Sequence, residues 1–132
     1  MSGVDEETRR LIRSDPFCET LAIELVELEP GYARTELSIT DGLLNFHGTP
    51  HGGAIYSLAD AAFAAASNSH GETAFALETN ISYLGTVESG ETLAATAEET
   101  HGSRRTAEYE VVVFDESDDR IATFRGRVYR PG

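Results

Sequence analysis

Apolar and polar residues alternate with period two over several short runs of this chain, the pattern of half-buried strands. Leu21, Ile23 and Leu25 alternate with Ala22, Glu24 and Val26, and Leu37 and Ile39 with Glu36, Ser38 and Thr40. Tyr109, Val111 and Val113 alternate with Glu108 and Glu110, and residues 121–129 form another extended run. Residues 72–84 and 91–100 carry the same character less cleanly. Turn signals separate these runs: Pro30-Gly31, Thr40-Asp41-Gly42, Ser89-Gly90, His101-Gly102-Ser103 and Asp115 to Asp119. Short loops between successive strands favour antiparallel neighbours. Two stretches read instead as helix. Residues 4–14 form a short amphipathic helix that ends before Pro16. Residues 52–69 are rich in alanine and apolar almost all round, so this helix should be buried. One long buried helix, a strand pair before it and about four strands after it predict an α+β fold, a curled antiparallel sheet around a central helix. The length predicts a single domain, 1–132, with a short helical N-terminal segment over 1–16.

Composition narrows the function classes. A net charge of −13 with no basic stripe argues against a nucleic-acid partner. All ten basic residues are arginine. Acidity without lysine fits a salt-rich cytosol, where repulsion is screened, as well as it fits an ordinary acidic protein with an arginine bias. The single cysteine, Cys18, excludes an internal disulfide and a cysteine-based zinc site. No continuous apolar run is long enough to span a membrane. The charged N-terminus does not read as a secretory signal, so a cytoplasmic location is expected. Nothing suggests a metal or a redox cofactor.

One carboxylate is out of place. Between Gly42 and Gly71 the only charged side chain is Asp60, where average composition would supply roughly seven. It falls in the middle of the helix that should be buried, and no basic residue is near it in sequence. Such conflicts concentrate at functional sites, although an Asp at a groove or across a subunit contact would look the same. Ahead of the helix, Asn45-Phe46-His47-Gly48-Thr49-Pro50-His51-Gly52-Gly53 forms a loop dense in glycine and polar groups. Free N–H groups at a helix start can hold an oxyanion. Gly52 and Asp60 are eight residues apart, so about 12 Å apart along one helix. A reacting carbonyl must lie about 3 Å from both donor and base or nucleophile. One helix cannot supply both; two antiparallel copies about a two-fold axis can. The face bearing Gly53, Tyr56, Asp60, Ala64 and Ser67 would then line the interface.

At these residues the chain resembles the hotdog-fold thioesterases of the PaaI type, the phenylacetyl-CoA thioesterase group. The motif runs from Asn45 through His51-Gly52-Gly53 to Ser57-Leu58-Ala59-Asp60, with Ala62 following. Further matches are Asn68-Ser69, Thr79-Asn80-Ile81-Ser82-Tyr83-Leu84, Gly90-Glu91-Thr92-Leu93 and Phe124-Arg125-Gly126, so the resemblance covers about residues 17–130. It implies the hotdog fold and an enzyme, a thioester hydrolase that cleaves acyl-CoA to free acid and CoA. It implies that Asp60 is nucleophile or general base and that the Gly52 amide polarises the thioester carbonyl. Asn45 would orient substrate or water, and His51 would support the loop. It further implies a homodimer with interfacial sites, Asp60 from one subunit and Asn45 and Gly52 from the other, often paired into a homotetramer. Some relatives place a water-holding hydroxyl where this chain has Ala76, leaving that role empty or to Thr79 or Ser82.

CoA phosphates call for arginine. Arg104 and Arg105 follow a flexible turn that in the family reaches the nucleotide end of CoA. Arg125, Arg127 and Arg130 form a second basic group. Gly53 and the segment from Tyr83 to Glu88 are further candidates for contact with CoA. Phe63, Tyr56, Leu43, Leu44 and Phe46 are candidates for lining a pocket for an aromatic or medium-chain acyl group, the resemblance favouring phenylacetyl or hydroxyphenylacetyl. Two other readings use the same fold: an acyl-CoA hydratase or dehydratase, faintly suggested by Phe46-His47-Gly48-Thr49-Pro50, and a non-catalytic acyl-CoA-binding protein.

Overall fold

The computed structural model describes residues 3–132. Met1 and Ser2, part of the expected helical segment, lie outside the described residues. Two short helices, α1 (Glu6–Arg13) and α2 (Pro16–Leu21), lead into the strand pair β1 (Glu24–Glu29) and β2 (Tyr32–Ser38). A 3-10 turn at Asp41–Leu43 and a loop bring the chain to the long helix α3 (Gly52–Asn68). Four strands complete it: β3 (Phe75–Tyr83), β4 (Thr92–Gly102), β5 (Thr106–Phe114) and β6 (Arg120–Tyr129). The strands form one antiparallel sheet in the order β1-β2-β4-β5-β6-β3, curled around α3. This is the hotdog arrangement expected from the sequence.

The alternation decides what each strand gives the core. In β2, Ala33, Thr35 and Leu37 turn inward; in β5, Ala107, Tyr109, Val111 and Val113 do the same. On α3 the face Ile55, Leu58, Ala59, Ala62, Phe63 and Ala66 is buried against them. The Thr35 hydroxyl, fully buried, donates to the Leu58 carbonyl at 3.0 Å. The largest helix side chain, Phe63, packs against Tyr109 and Phe124, with ring centroids 5.9 and 5.6 Å away. Its ring lies where a Cβ at position 126 would stand, so only glycine fits at Gly126.

One expectation fails near the N-terminus. Leu21 belongs to α2, not to a strand. Asp15 caps that helix through its Oδ1, which accepts from the Cys18 amide at 3.0 Å, and Pro16 starts it. The alternation of Leu21, Ile23 and Leu25 with Ala22, Glu24 and Val26 runs into β1 as far as Val26 and then breaks. A bulge between Leu25 and Glu27 inserts Val26 and reverses the parity. Leu28, not Glu27, reaches the core as a result.

Candidate active site

His51 sets the entry to α3. Its Nδ1 accepts from the Gly53 amide at 2.9 Å, which makes this histidine the N-cap. The Gly53 amide is therefore spent, whereas the Gly52 amide finds no acceptor among the described residues. The Gly52 carbonyl accepts from the Tyr83 hydroxyl at 2.9 Å. The Tyr83 ring also lies within 3.3 Å of where a Gly52 Cβ would be. A glycine that lets a ligand approach the backbone is thus pinned from its other side. One turn on, the Tyr56 hydroxyl bonds Thr79 on β3, a second tie between strand and helix.

Asn45 shapes the loop ahead of the helix. Its Oδ1 accepts from the His47 amide at 2.9 Å and from the Thr49 amide and hydroxyl at 3.1 Å. Its carbonyl oxygen is thereby occupied in holding the turn.

Asp60 lies near the middle of α3, half-buried. Among the described residues it has neither an ion-pair nor a hydrogen-bond partner. Burial pushes its carboxyl above the usual carboxylate range, and the charge of Asp15 pushes the same way. Cys18 stands near both carboxylates and its thiol is pushed up to about 11, by burial first and then by Asp15. It is uncharged at neutral pH.

Several expected residues do not gather here. Ser67 is buried and donates to the Ala64 carbonyl at 3.2 Å, so it does not share the open face with Asp60. That face carries Gly53, Ser57, Asp60, Ala61 and Ala64. Phe63 is 1% exposed in the core and Phe46 is 93% exposed, so these two do not form a pocket together. The Thr79 hydroxyl is taken by Tyr56. Ser82 lines an outer-surface cleft with Asn80, Glu110 and Arg125. Ala76 pairs with Val128 on β3 and presents no hydroxyl.

Arg104 and Arg105 sit in the β4–β5 turn. That turn adjoins Glu99, whose Oε1 lies 2.8 Å from His70 Nε2 just beyond the C-terminal end of α3. Gly52 is at the opposite end, about 25 Å away along a helix of 17 residues. Arg105 donates to the Pro131 carbonyl at 3.1 Å. The second arginine group divides: Arg127 faces Glu78 at 3.6 Å, whereas Arg130 is buried and donates to the Tyr109 hydroxyl at 3.3 Å.

The family profile described as the thioesterase superfamily matches residues 47–122, which contain the helix start, Asp60 and most of the sheet. The chain belongs to this superfamily. The acyl-coenzyme A thioesterase PaaI of Escherichia coli is 33% identical over 127 residues, 96% of this chain and 91% of that protein. The Escherichia coli PaaI structure superposes with a TM-score of 0.90, covering 94% of this chain and 90% of its own. The TT0310 protein of Thermus thermophilus is 43% identical, with a TM-score of 0.85 over 88% of this chain and 97% of its own. The 1,4-dihydroxy-2-naphthoyl-CoA hydrolase of Listeria monocytogenes is 34% identical over 81% of this chain and 89% of its own. Fold and family together make this protein a thioester hydrolase of the hotdog superfamily. No helix among the described residues is long and apolar enough to cross a membrane, and none of their His, Cys, Asp and Glu side chains group as metal ligands.

Proposed function

We propose that the protein hydrolyses acyl-CoA thioesters to free acid and CoA, in a homodimer whose two sites lie between subunits. One observation carries the reading: a half-buried carboxylate and a helix-start amide, both without partners among the described residues, on a single helix that holds them about 12 Å apart. A second copy of α3, antiparallel to the first, supplies the missing half of each site. The edge strand β3 supports such a pairing. Among the described residues it is unpaired on one side and exposes Phe75 and Leu77, 58% and 56% accessible. The same pairing brings the Arg104-Arg105 turn of one copy toward the Gly52 end of the other, where CoA phosphates need positive charge. Two such dimers back to back make the tetramer implied by the family resemblance.

In this site the thioester oxygen accepts from the amide of Gly52 of the partner subunit. That donor stabilises the negative charge that develops as the carbonyl carbon becomes tetrahedral. Asp60 then acts in one of two ways. As nucleophile, it forms a mixed anhydride, the C–S bond breaks, CoA leaves as thiolate and takes a proton, and water cleaves the anhydride. As general base, it takes the proton of a water that attacks directly. Its raised proton affinity suits either the base role or a carboxylate freed of water. His51 and Asn45 hold the loop that presents the amide. Oxygen-18 from solvent entering the Asp60 carboxylate in a single turnover marks a nucleophile whose anhydride water cleaves at the Asp60 carbon; its absence favours the base, or cleavage at the acyl carbon.

The relatives named for PaaI and for an aromatic acyl-CoA favour aromatic or medium-chain groups, phenylacetyl and hydroxyphenylacetyl among them. The test is release of CoA thiol from a panel of acyl-CoAs, at low and molar KCl, with Asp60→Asn beside the parent. Hydrolysis by the parent and loss in the variant supports the reading. Absence of thiol release at every salt concentration overturns it.

A further inference from the structure

The strand β6 bulges where it pairs with β5. Val113 stands opposite Ala122 and Phe114 opposite Arg120, so Ile121 is the inserted residue. Ile121 and Ala122 are both buried in consequence, and the parity before them is reversed. Strict alternation from Thr123 would send Arg120 to the α3 side of the sheet. The bulge sends it to the outer face instead, with Thr123 and Arg125.

A cleft of about 250 Å³ opens on that face. Val112, Thr123 and Ser82 lie side by side in register on β5, β6 and β3, and these short side chains make its floor. Arg120 and Arg125 stand at its two ends along β6. Neither is engaged within the chain. Arg127, two residues on, is flanked in register by Glu108 and Glu78 and pairs with Glu78 at 3.6 Å. Arg125 is flanked in the same way by Glu110 and Asn80, yet it forms no ion pair among the described residues, and Arg120 forms none either. The Ser82 and Thr123 hydroxyls have no hydrogen-bond partner among the described residues. Two of the ten arginines of a chain with net charge −13 thus border one small polar cleft with their donors unspent.

We infer that this cleft binds a phosphoryl group, gripped by Arg120 and Arg125 from its two ends and by the Ser82 and Thr123 hydroxyls beneath, at a site apart from Asp60 and Gly52. Guanidinium groups present paired N–H donors that fit the edges of a tetrahedral oxyanion, and two of them with two hydroxyls serve all its oxygens. Volume sets the size of the occupant. The cleft falls below the roughly 300–1,000 Å³ of drug-sized sites, so it takes a head group and not a whole acyl-CoA. Charge sets the sign: the single carboxylate of the lining, Glu110, stands against two guanidinium groups, a local positive field on an acidic protein. The sheet separates the cleft from α3, so the inference does not rest on the reading of Asp60.

The test is calorimetric titration of the intact protein with inorganic phosphate, at an ionic strength held constant with KCl. The parent binds phosphate saturably. Arg120→Gln and Arg125→Gln, both at exposed positions that folding tolerates, each weaken binding about tenfold or more, the scale of a lost charge-assisted contact. Arg127→Gln, whose guanidinium is engaged with Glu78, changes it less than twofold. Glu110→Gln tightens it about threefold, because a like charge leaves the cleft; if Glu110 merely held Arg125 in place, binding would weaken. Glycerol 3-phosphate is the second titrant: tighter binding than inorganic phosphate assigns the phosphoryl group to an ester, and weaker binding assigns it to the free ion. Asp60→Asn binds phosphate as the parent does, so loss of the thioesterase reading would leave this site standing. Absence of saturable binding by the parent overturns the inference, and so does binding that both arginine variants retain. Phosphate that competes with acyl-CoA for turnover overturns it too, because the cleft then holds part of the substrate. The same holds if sedimentation shows that phosphate binds only as copies associate or separate, because the cleft then belongs to a contact between copies.

Discussion

The two ends of α3 treat their polar groups in opposite ways. Past the C-terminal end, His70 Nε2 and the Tyr109 hydroxyl each lie 2.8 Å from Glu99 Oε1, and Arg130 reaches the same tyrosine. The Ser69 hydroxyl accepts from the Gly31 amide at 2.7 Å and donates to the Ala66 carbonyl. Of that network only the buried Arg130 Nε is without a partner among the described residues. Toward the other end, the Gly52 amide and the Asp60 carboxylate have none among the described residues. A polar group paired within the chain holds the chain together; one left unpaired at partial burial costs stability and is retained for what it meets from outside. The fold is secured at one end of the helix so that chemistry can be left open toward the other.

The sharpest way to break this contrast is Asp60→Asn. Activity should fall about 10²-fold or more, the usual size of a lost acid–base or nucleophilic group, measured as CoA release. Stability should move the other way. A carboxylate whose folded proton affinity exceeds its unfolded one favours folding below pH 3.8, and that contribution is lost as pH rises through its folded value. At pH 7 the variant should therefore melt higher than the parent.

Glu99→Ala probes the closed end. It removes the acceptor of the fully buried Tyr109 hydroxyl and a carboxylate charge that acts on Arg130, at a cost of about 1–3 kcal/mol in denaturant unfolding, with turnover per folded molecule retained. Burial alone would raise the Glu99 carboxyl, but hydrogen bonds from His70 and Tyr109 bring it below its ordinary value. Its contribution is thus present at neutral pH and lost as pH falls below 4.5, a dependence that the substitution should flatten.

Tyr83→Phe removes only the hydroxyl that holds the Gly52 carbonyl. We expect kcat to drop about three- to tenfold, the worth of one hydrogen bond, with KM nearly unchanged. A rise in KM at constant kcat would place Tyr83 against CoA instead. The smallest effect is Asp15→Asn, which keeps a competent helix cap and removes one charge. Of the groups facing Asp60, the Cys18 thiol is uncharged, so Asp15 supplies the like charge. The acid limb of the pH–rate profile should move to lower pH, since removing the like charge lowers the proton affinity of Asp60.

What can be read in the sequence is what is written locally. The span of α3 shows in its alanines, and the anomaly of Asp60 in thirty residues without another charge. The antiparallel pairing follows from turns and alternation. The helix α2 has a local signal, Asp15-Pro16, but the same proline also ends α1, and the two meanings compete. Nothing marks its end either, since the chain turns at Ala22, with φ of 63° and no glycine. The Val26 bulge cannot be read from alternation, because an inserted residue looks like one more step of the pattern. The bond from Tyr83 to Gly52 spans 31 residues, and the nearness of Asp15 to Asp60 spans the fold. Ser67 shows the limit of helix geometry: spacing puts it beside Asp60, and packing decides otherwise.

Phe63 and Gly126 act together as a locating pin. An alanine-rich helix is smooth and could slide along a sheet with little resistance. A single aromatic ring seated in the one slot that a missing Cβ leaves in β6 fixes its axial position. Asp60 stands three residues from that pin and inherits its tolerance. In the proposed dimer each carboxylate must meet an amide carried by a second molecule, so the alignment of two subunits is referred back to a slot one side chain wide in each.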